Sequence, residues 1–412
     1  MNQLHRYCHK LWNNESKLAV GTLTTSIGNR VFDIACNIFL SGLSSQNSLF
    51  TAIYQSSETL IAVIINIFAG VFADKSRDKR QILIITDLAC AIACFILAFL
   101  TASPYVVAAI IAVNIILSIF STFNSPASQS IIKFAIEKDR IGTYNSYIKF
   151  WQQILKVCSP IFTMGLLFVG TIRLVIVFNA FTFLISALCE KALKIDIQVA
   201  ETKSSVKKSK VGSIFSDIKE AAIYLTSDKE VLLIIIVSSL VNFFIAGYNL
   251  FLPYTYNFFT NDFNPYSLFI SAEAIGGILG ALIASRIKKQ STNKMLFFLL
   301  ICGISNLLIY ISLSYLRSII STIVAVAIFT VSLTIFNIIF MTEIQTKVDD
   351  RYIGRVFSFI FTVALLFMPV GSFTFMKIFP ASSANSYMLI FIGISLVCLI
   401  SYLINKQLSK SE

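Results

Sequence analysis

The sequence predicts an all-α polytopic membrane protein with 12 transmembrane helices, arranged as two six-helix bundles that repeat each other. Three observations support this fold class. The 412 residues are 56% hydrophobic and only 13% charged, whereas soluble domains average about 45–50% and about 25%. Twelve apolar runs have the length of about 20 residues that a helix needs to cross a bilayer. Landmarks recur between the halves, since Gly280 follows Gly70 by 210 residues and Pro369 follows Pro160 by 209.

Each run is predicted to be a helix, because a chain in lipid must satisfy its own backbone hydrogen bonds and the runs lack the alternation of barrel strands. The runs of the first half lie at 18–41, 48–72, 81–101, 104–128, 147–169 and 172–190. Those of the second half lie at 230–254, 266–286, 295–315, 317–341, 356–379 and 386–405.

The polar stretches divide the chain into two bundles and a linker. The longest of them, 201–230, begins with a Lys- and Ser-rich segment that is typical of a flexible linker. The predicted order is a cytoplasmic tail (1–17), a bundle (18–193), a cytoplasmic linker (194–229), a second bundle (230–405) and a cytoplasmic tail (406–412).

The distribution of basic residues predicts the orientation. With the N-terminus inside, 27 of the 33 Lys and Arg residues fall in cytoplasmic segments, and only Arg173, Arg317 and Lys377 fall on the other side. This asymmetry places both termini in the cytoplasm and explains the net charge of +12 without a nucleic-acid partner. The scattered cysteines and the two histidines of the N-terminal tail indicate neither a disulfide framework nor a metal site.

Ionisable residues inside the apolar runs are the candidate functional residues, because each costs about 2.5–3.5 kcal/mol at a helix centre unless it is paired or wet. Several align with polar neighbours at helical spacing, as Arg30, Asp33 and Asn37 do in the first run. The predicted cavity residues are Arg30, Asp33, Asn37, Glu58, Asn114, Gln152, Lys156, Asn242, Glu273 and Asn337. Polar stripes can also simply join helices by hydrogen bonds, and that alternative stays open.

These residues suggest transport driven by an ion gradient. Asp33, Glu58 and Glu273 are candidate proton carriers or cation contacts, with Arg30 and Lys156 as their partners or as anion contacts. The sequence contains no G-x-x-x-x-G-K-[ST] phosphate loop, which argues against ATP hydrolysis.

The 6+6 layout and the blocks FNSPASQS, SPIF, DDRYIGRVFS and MPVG resemble the major facilitator superfamily, in particular its macrolide-efflux-like branch, which includes siderophore exporters. The charged stretch GVFADKSRDKR also resembles the loop that follows the second span in that family, although it is one residue longer and lacks the inner glycine. The resemblance implies a cytoplasmic gating loop that joins the two halves. Its residues would be Gly70, Asp74, Lys75, Lys79 and Arg80, with Asp87 in the same network.

The function expected from this resemblance is proton-coupled efflux, by alternating access, of an amphipathic small molecule such as a macrolide-like or peptide antibiotic or a siderophore. Import or facilitated passage of a nutrient on the same fold is the first alternative, and a membrane enzyme or receptor is the second. No cofactor is expected beyond the proton gradient. The expected partners are a small-molecule substrate and the lipid of the inner (plasma) membrane, with the protein as a monomer.

Overall fold

A computed structural model of the protein describes residues 13–43, 48–75, 79–193, 229–259, 264–287, 291–348 and 353–411. These ranges contain twelve long α-helices and no strand. Each of the twelve predicted apolar runs corresponds to one of these helices, so the all-helical fold class is confirmed.

The helices are numbered here in chain order. Those of the first half are α1 (Asn14–Leu43), α2 (Leu49–Lys75), α3 (Lys79–Leu100), α4 (Val106–Ala135), α5 (Lys138–Val169) and α6 (Ile172–Lys191). Those of the second half are α7 (Lys229–Phe251), α8 (Tyr266–Ser285), α9 (Thr292–Ile311), α10 (Ile319–Lys347), α11 (Ile353–Ile378) and α12 (Asn385–Ser411).

Nine of these helices are long and apolar enough, in their described residues, to cross a membrane. The other three are α1, α2 and α11, and α11 contributes a shorter apolar segment, Val363–Ile378. Helix α1 contains Lys17, Arg30 and Asp33, which lower its mean hydropathy. The protein is therefore a multi-span membrane protein in which some helices carry charge into the apolar layer.

The connection between α4 and α5 is much shorter than the gap between the predicted apolar runs 104–128 and 147–169. Helix α4 continues to Ala135, Ile136 adopts an extended conformation, and α5 begins at Lys138. Hydropathy marks only the part of a helix that crosses lipid, whereas backbone hydrogen bonding continues through the polar residues beyond it. The residues between these two predicted runs are thus mostly helical.

Contacts group the chain into two compact units: Met1–Cys36 with Ile61–Val211, and Asn37–Leu60 with Gly212–Glu412. In the first unit, α3 packs against α4 and α6. In the second unit, α9 packs in the same way against α10 and α12. Since α9, α10 and α12 occupy the same positions in their half as α3, α4 and α6, the two halves repeat one packing scheme.

Two glycines bring α8 and α10 close together in the second unit. A Cβ atom at Gly276 would lie 2.8 Å from the carbonyl oxygen of Ala327, and one at Gly280 would lie 2.6 Å from that of Val331. No side chain fits in such a gap, so the glycines allow the two backbones to touch. Small residues with this spacing are typical of closely packed membrane helices.

Polar side chains tie the helix ends within each unit. In the second unit, Lys347 Nζ lies 2.6 Å from Glu230 Oε2 and 3.0 Å from Glu343 Oε2, which joins α7 to α10. In the first unit, Lys17 Nζ donates to the carbonyl oxygen of Ala192 at 2.8 Å. These bonds position the ends of the helices that carry the candidate site residues.

Candidate transport site

Helix α1 carries the first charged stripe. Arg30 is exposed, Asp33 is half-buried and Asn37 is buried. Arg30 and Asp33 are three residues apart on one helix and interact electrostatically. Both residues belong to the first unit, whereas Asn37 is grouped with the second.

Asn37 belongs to a polar cluster in the second unit that the sequence indicated only in part. Gln55 Nε2 donates to Asn37 Oδ1 at 2.8 Å and is 3.3 Å from the carbonyl oxygen of Asn249. Beside it, the hydroxyls of Thr51 and Tyr254 share a 2.7 Å hydrogen bond. The cluster joins the ends of α1, α2 and α7, and the polar stripe of the first run predicted Asn37 as a site residue. Nothing in the hydropathy of the chain distinguishes Thr51 or Tyr254.

Glu273 is the best-supported carboxylate of the second unit. It is half-buried on α8, and the fully buried Tyr248 of α7 donates its hydroxyl to Glu273 Oε1 at 2.7 Å. Tyr387 of α12 is close enough to interact electrostatically with the same carboxylate. The ring of Tyr248 is held 4.3 Å, between centroids, from that of Phe329 on α10. Side chains from four helices thus position Glu273 and its donor.

The other predicted cavity residues occupy several environments. Glu58 and Asn337 are exposed, Lys156 and Gln152 are half-buried on α5, and Asn114 is buried on α4. Asn242 was predicted as a cavity group, and its amide donates at 3.0 Å to the carbonyl of Ser238 in its own helix.

The gating loop lies largely outside the described residues. Residues 76–78 are not described, and neither are the surroundings of Gly70 or the side chains of Asp74, Lys75 and Lys79, so the predicted latch stays a prediction. Arg80 is described: its Nη1 donates to the carbonyl oxygen of Leu193 at 3.0 Å. This bond ties the start of α3 to the segment that follows α6.

Asp87 lies inside a cavity of the first unit. The cavity has a volume of about 200 Å³ and lies among α1, α3, α4 and α6. Asp87 is only 4% exposed, and its Oδ1 accepts a 3.2 Å hydrogen bond from Asn124 Nδ2. The polar residues that line the cavity are Thr22, Thr25, Ser26, Asn29, Thr86, Asp87, Ser121, Asn124, Ser125, Ser128, Ser186 and Glu190. We call this space the carboxyl cavity.

The sequence analysis missed Glu190, the second acid of the carboxyl cavity. Glu190 is the penultimate residue of α6, next to Lys191, and such a position is typical of charges that lie at the membrane surface. In the structure it is only 7% exposed. Its i, i+4 spacing from Ser186, another residue of the cavity lining, was the one signal in the sequence.

The repeated helical packing and the charges held within apolar helices are typical of a membrane transporter. Solved structures similar to the chain include a nucleoside transporter, NupG, at 15% identity and a TM-score of 0.77, covering 96% of this chain and 99% of that one. A POT family transporter in complex with 5-aminolevulinic acid is similar at 12% identity and a TM-score of 0.71, covering 95% and 96%.

A bacterial homologue of the iron transporter ferroportin, in an inward-facing state, is similar at 12% identity and a TM-score of 0.70, covering 94% of this chain and 98% of that one. At these identities the likeness shows the fold alone. No curated protein sequence matches the chain. The family pattern of the Major Facilitator Superfamily matches residues 18–372, so the chain belongs to that superfamily.

Proposed function

We propose that this transporter couples the entry of protons to the export of an amphipathic small molecule. The observation that carries the proposal is the Glu273 site, a carboxylate within an apolar helix whose donor, Tyr248, is fully buried. A carboxylate retained at membrane depth is costly unless it has a function, and reversible protonation is a function that suits it. Asp33, beside Arg30, supplies a second candidate in the first unit.

The energy requirement is modest. One charge moving down 100 mV releases about 2.3 kcal/mol, which supports an accumulation of several tens-fold. Both the amphipathic substrate class and the outward direction come from the resemblance to macrolide-efflux-like proteins. The basic residues support an orientation with both termini in the cytoplasm of the inner membrane.

Everted membrane vesicles give a direct test, with a radiolabelled macrolide antibiotic as the probe. If the proposal is correct, an acidic interior drives accumulation of the probe, and dissipating the pH gradient abolishes it. Asp33→Asn and Glu273→Gln should each reduce gradient-driven accumulation by at least tenfold while the protein stays in the membrane. Glu15→Gln is the matched control, since it removes a carboxylate that pairs with Arg140 at 2.6 Å outside these sites.

The same vesicles distinguish the alternative of import. An importer would accumulate its substrate in right-side-out vesicles with an acidic exterior and would not concentrate the macrolide in everted ones. A siderophore used as a second probe tests whether the protein exports siderophores instead of macrolides. Proton coupling would be contradicted if macrolide and siderophore accumulation were the same with and without the pH gradient in both vesicle types.

A further inference from the structure

The carboxyl cavity contains two acids on neighbouring helices, Asp87 on α3 and Glu190 on α6. Both side chains are more than nine-tenths buried, and both line the same 200 Å³ space. Asp87 is the principal charge acting on Glu190, so the two carboxyl groups are electrostatic neighbours. An acidic pair in such a place is unusual, because two negative charges cannot easily share a site of low dielectric constant.

Hydrogen bonding satisfies only part of this pair. Asn124 donates to Asp87 Oδ1, and Ser186 also forms a hydrogen bond with Asp87. Within the described part of the chain, however, Asp87 Oδ2 and Glu190 Oε2 are buried and have no hydrogen-bond partner. A buried carboxylate oxygen without a donor is strongly destabilising when it is charged. The geometry therefore provides acceptor capacity that a bound proton would use.

The nearby basic residues are directed to other acceptors. None of the described residues that line the cavity is Lys, Arg or His. Lys17, at the α1 end, donates to the carbonyl of Ala192, and Arg80, at the α3 end, donates to that of Leu193. Both bonds are made to backbone carbonyl groups just beyond the end of α6.

Among the described residues, and apart from Lys17 and Arg80, the other titratable groups near the pair are weak acids. They are Cys90 on α3, Cys189 on α6 and Tyr144 on α5. The described lining from α4 contributes only hydroxyl, amide and apolar groups, including Ser121, Asn124 and Phe120. None of these supplies a positive charge. Among the described residues that line the cavity, none therefore supplies a compensating positive charge.

We propose that Asp87 and Glu190 form a proton-binding site in the first unit that is separate from Asp33 and Glu273. One proton bound by the pair removes one of the two negative charges and gives an unpartnered oxygen a hydrogen to donate. The hydroxyl groups that line the cavity can accept or donate hydrogen bonds as the protonation of the pair changes. This inference rests on the proposed function in one respect: the proton is taken to be the coupling ion.

Infrared difference spectroscopy of the purified full-length protein tests the site without a substrate. Spectra recorded at acidic and alkaline pH report the C=O stretch of protonated carboxyl groups. We expect the pH-dependent band of the wild-type protein to include a component from this pair, which Asp87→Asn and Glu190→Gln each reduce and which the double variant loses, while the contributions of Asp33 and Glu273 remain. Glu15→Gln, which removes a carboxyl group outside the cavity, should leave this band intact.

A sodium arm of the experiment distinguishes the proton from an alkali cation. At constant pH, replacing choline chloride with sodium chloride should leave the band unchanged. Loss of the band on addition of sodium would overturn the proton assignment, as would spectra of the double variant that match the wild type. If Asp87→Asn does not fold, Glu190→Gln alone still tests the site, because removing either carboxyl group should change the band that the pair shares.

The spectroscopic result is independent of the transport assay. Gradient-driven macrolide accumulation with an unchanged band in the double variant would leave the proposed function standing and remove this site. A band assigned to the pair in a protein whose transport ignores the pH gradient would keep the site and remove the proton-coupled function.

Discussion

At the scale of single residues, a few polar side chains lie within helices that are otherwise apolar. Glu273 is tolerated in α8 because Tyr248 provides a 2.7 Å hydrogen bond from within the protein. A hydrogen bond to a charged group contributes about 1.5–3 kcal/mol, more than one between neutral groups. The hydroxyl of Tyr248 thus stabilises both the fold and the carboxylate.

Two matched tyrosine variants test this. Tyr248→Phe should destabilise the protein by about 1–3 kcal/mol, because it removes the donor to Glu273. Tyr387→Phe should be neutral or stabilising, since its buried hydroxyl has no hydrogen-bond partner among the described residues. Thermal unfolding in detergent measures both changes. An equal loss of stability in the two variants would contradict a specific role for the bond to Glu273.

Some of these site residues could be predicted from the sequence and others could not, for a physical reason. Arg30, Asp33 and Glu273 stand out because a charge within an apolar run is costly wherever the helix points. Glu190 does not, since a charge at the end of a run normally reaches the membrane surface, and only the tertiary packing shows that it is buried. Thr51 and Tyr254 are ordinary in membrane helices, so their hydrogen bond could not be predicted.

At the scale of helices, close packing depends on where the glycines lie. Three glycines of α8 are near one another in sequence, and two of them face α10 at distances that exclude a side chain. The third, Gly277, would place a Cβ atom no nearer than 3.8 Å from Thr334 Oγ1. The structure thus limits the close approach of the two backbones to Gly276 and Gly280.

This difference yields a prediction for three alanine variants. Gly276→Ala and Gly280→Ala should each destabilise the protein by about 1–3 kcal/mol, because the added methyl group forces α8 and α10 apart. Gly277→Ala should fold as well as the wild type. The melting temperature and the yield of monodisperse protein measure the effect. A Gly277→Ala variant as unstable as the other two would refute this assignment of the contact face.

At the scale of the whole molecule, apolar length and repetition predicted the fold. Twelve runs became twelve helices, and the pairing of α3 with α4 and α6 recurs in α9 with α10 and α12. Helix ends were less predictable, as the extended α4 and α5 show, since hydropathy does not record where helical hydrogen bonding stops. The substrate could not be predicted from the fold. Structures with this fold include a nucleoside transporter, a peptide transporter and a homologue of an iron transporter.

Reporter fusions test the orientation of the molecule. Green fluorescent protein fused after Glu412 should fluoresce, and alkaline phosphatase at the same point should be inactive, because both termini are predicted to be cytoplasmic. Alkaline phosphatase fused after Arg173 should be active. The opposite pattern at the two positions would reverse the predicted topology.

The connection between α4 and α5 has a mechanical consequence. Only Ile136 and Glu137 separate the end of one helix from the start of the next. Two residues provide no slack, so a displacement of the end of α4 must pull or push the start of α5. Movements of α4 and α5 should therefore be coupled, and a few glycines inserted at 136–137 should let the two helices move independently.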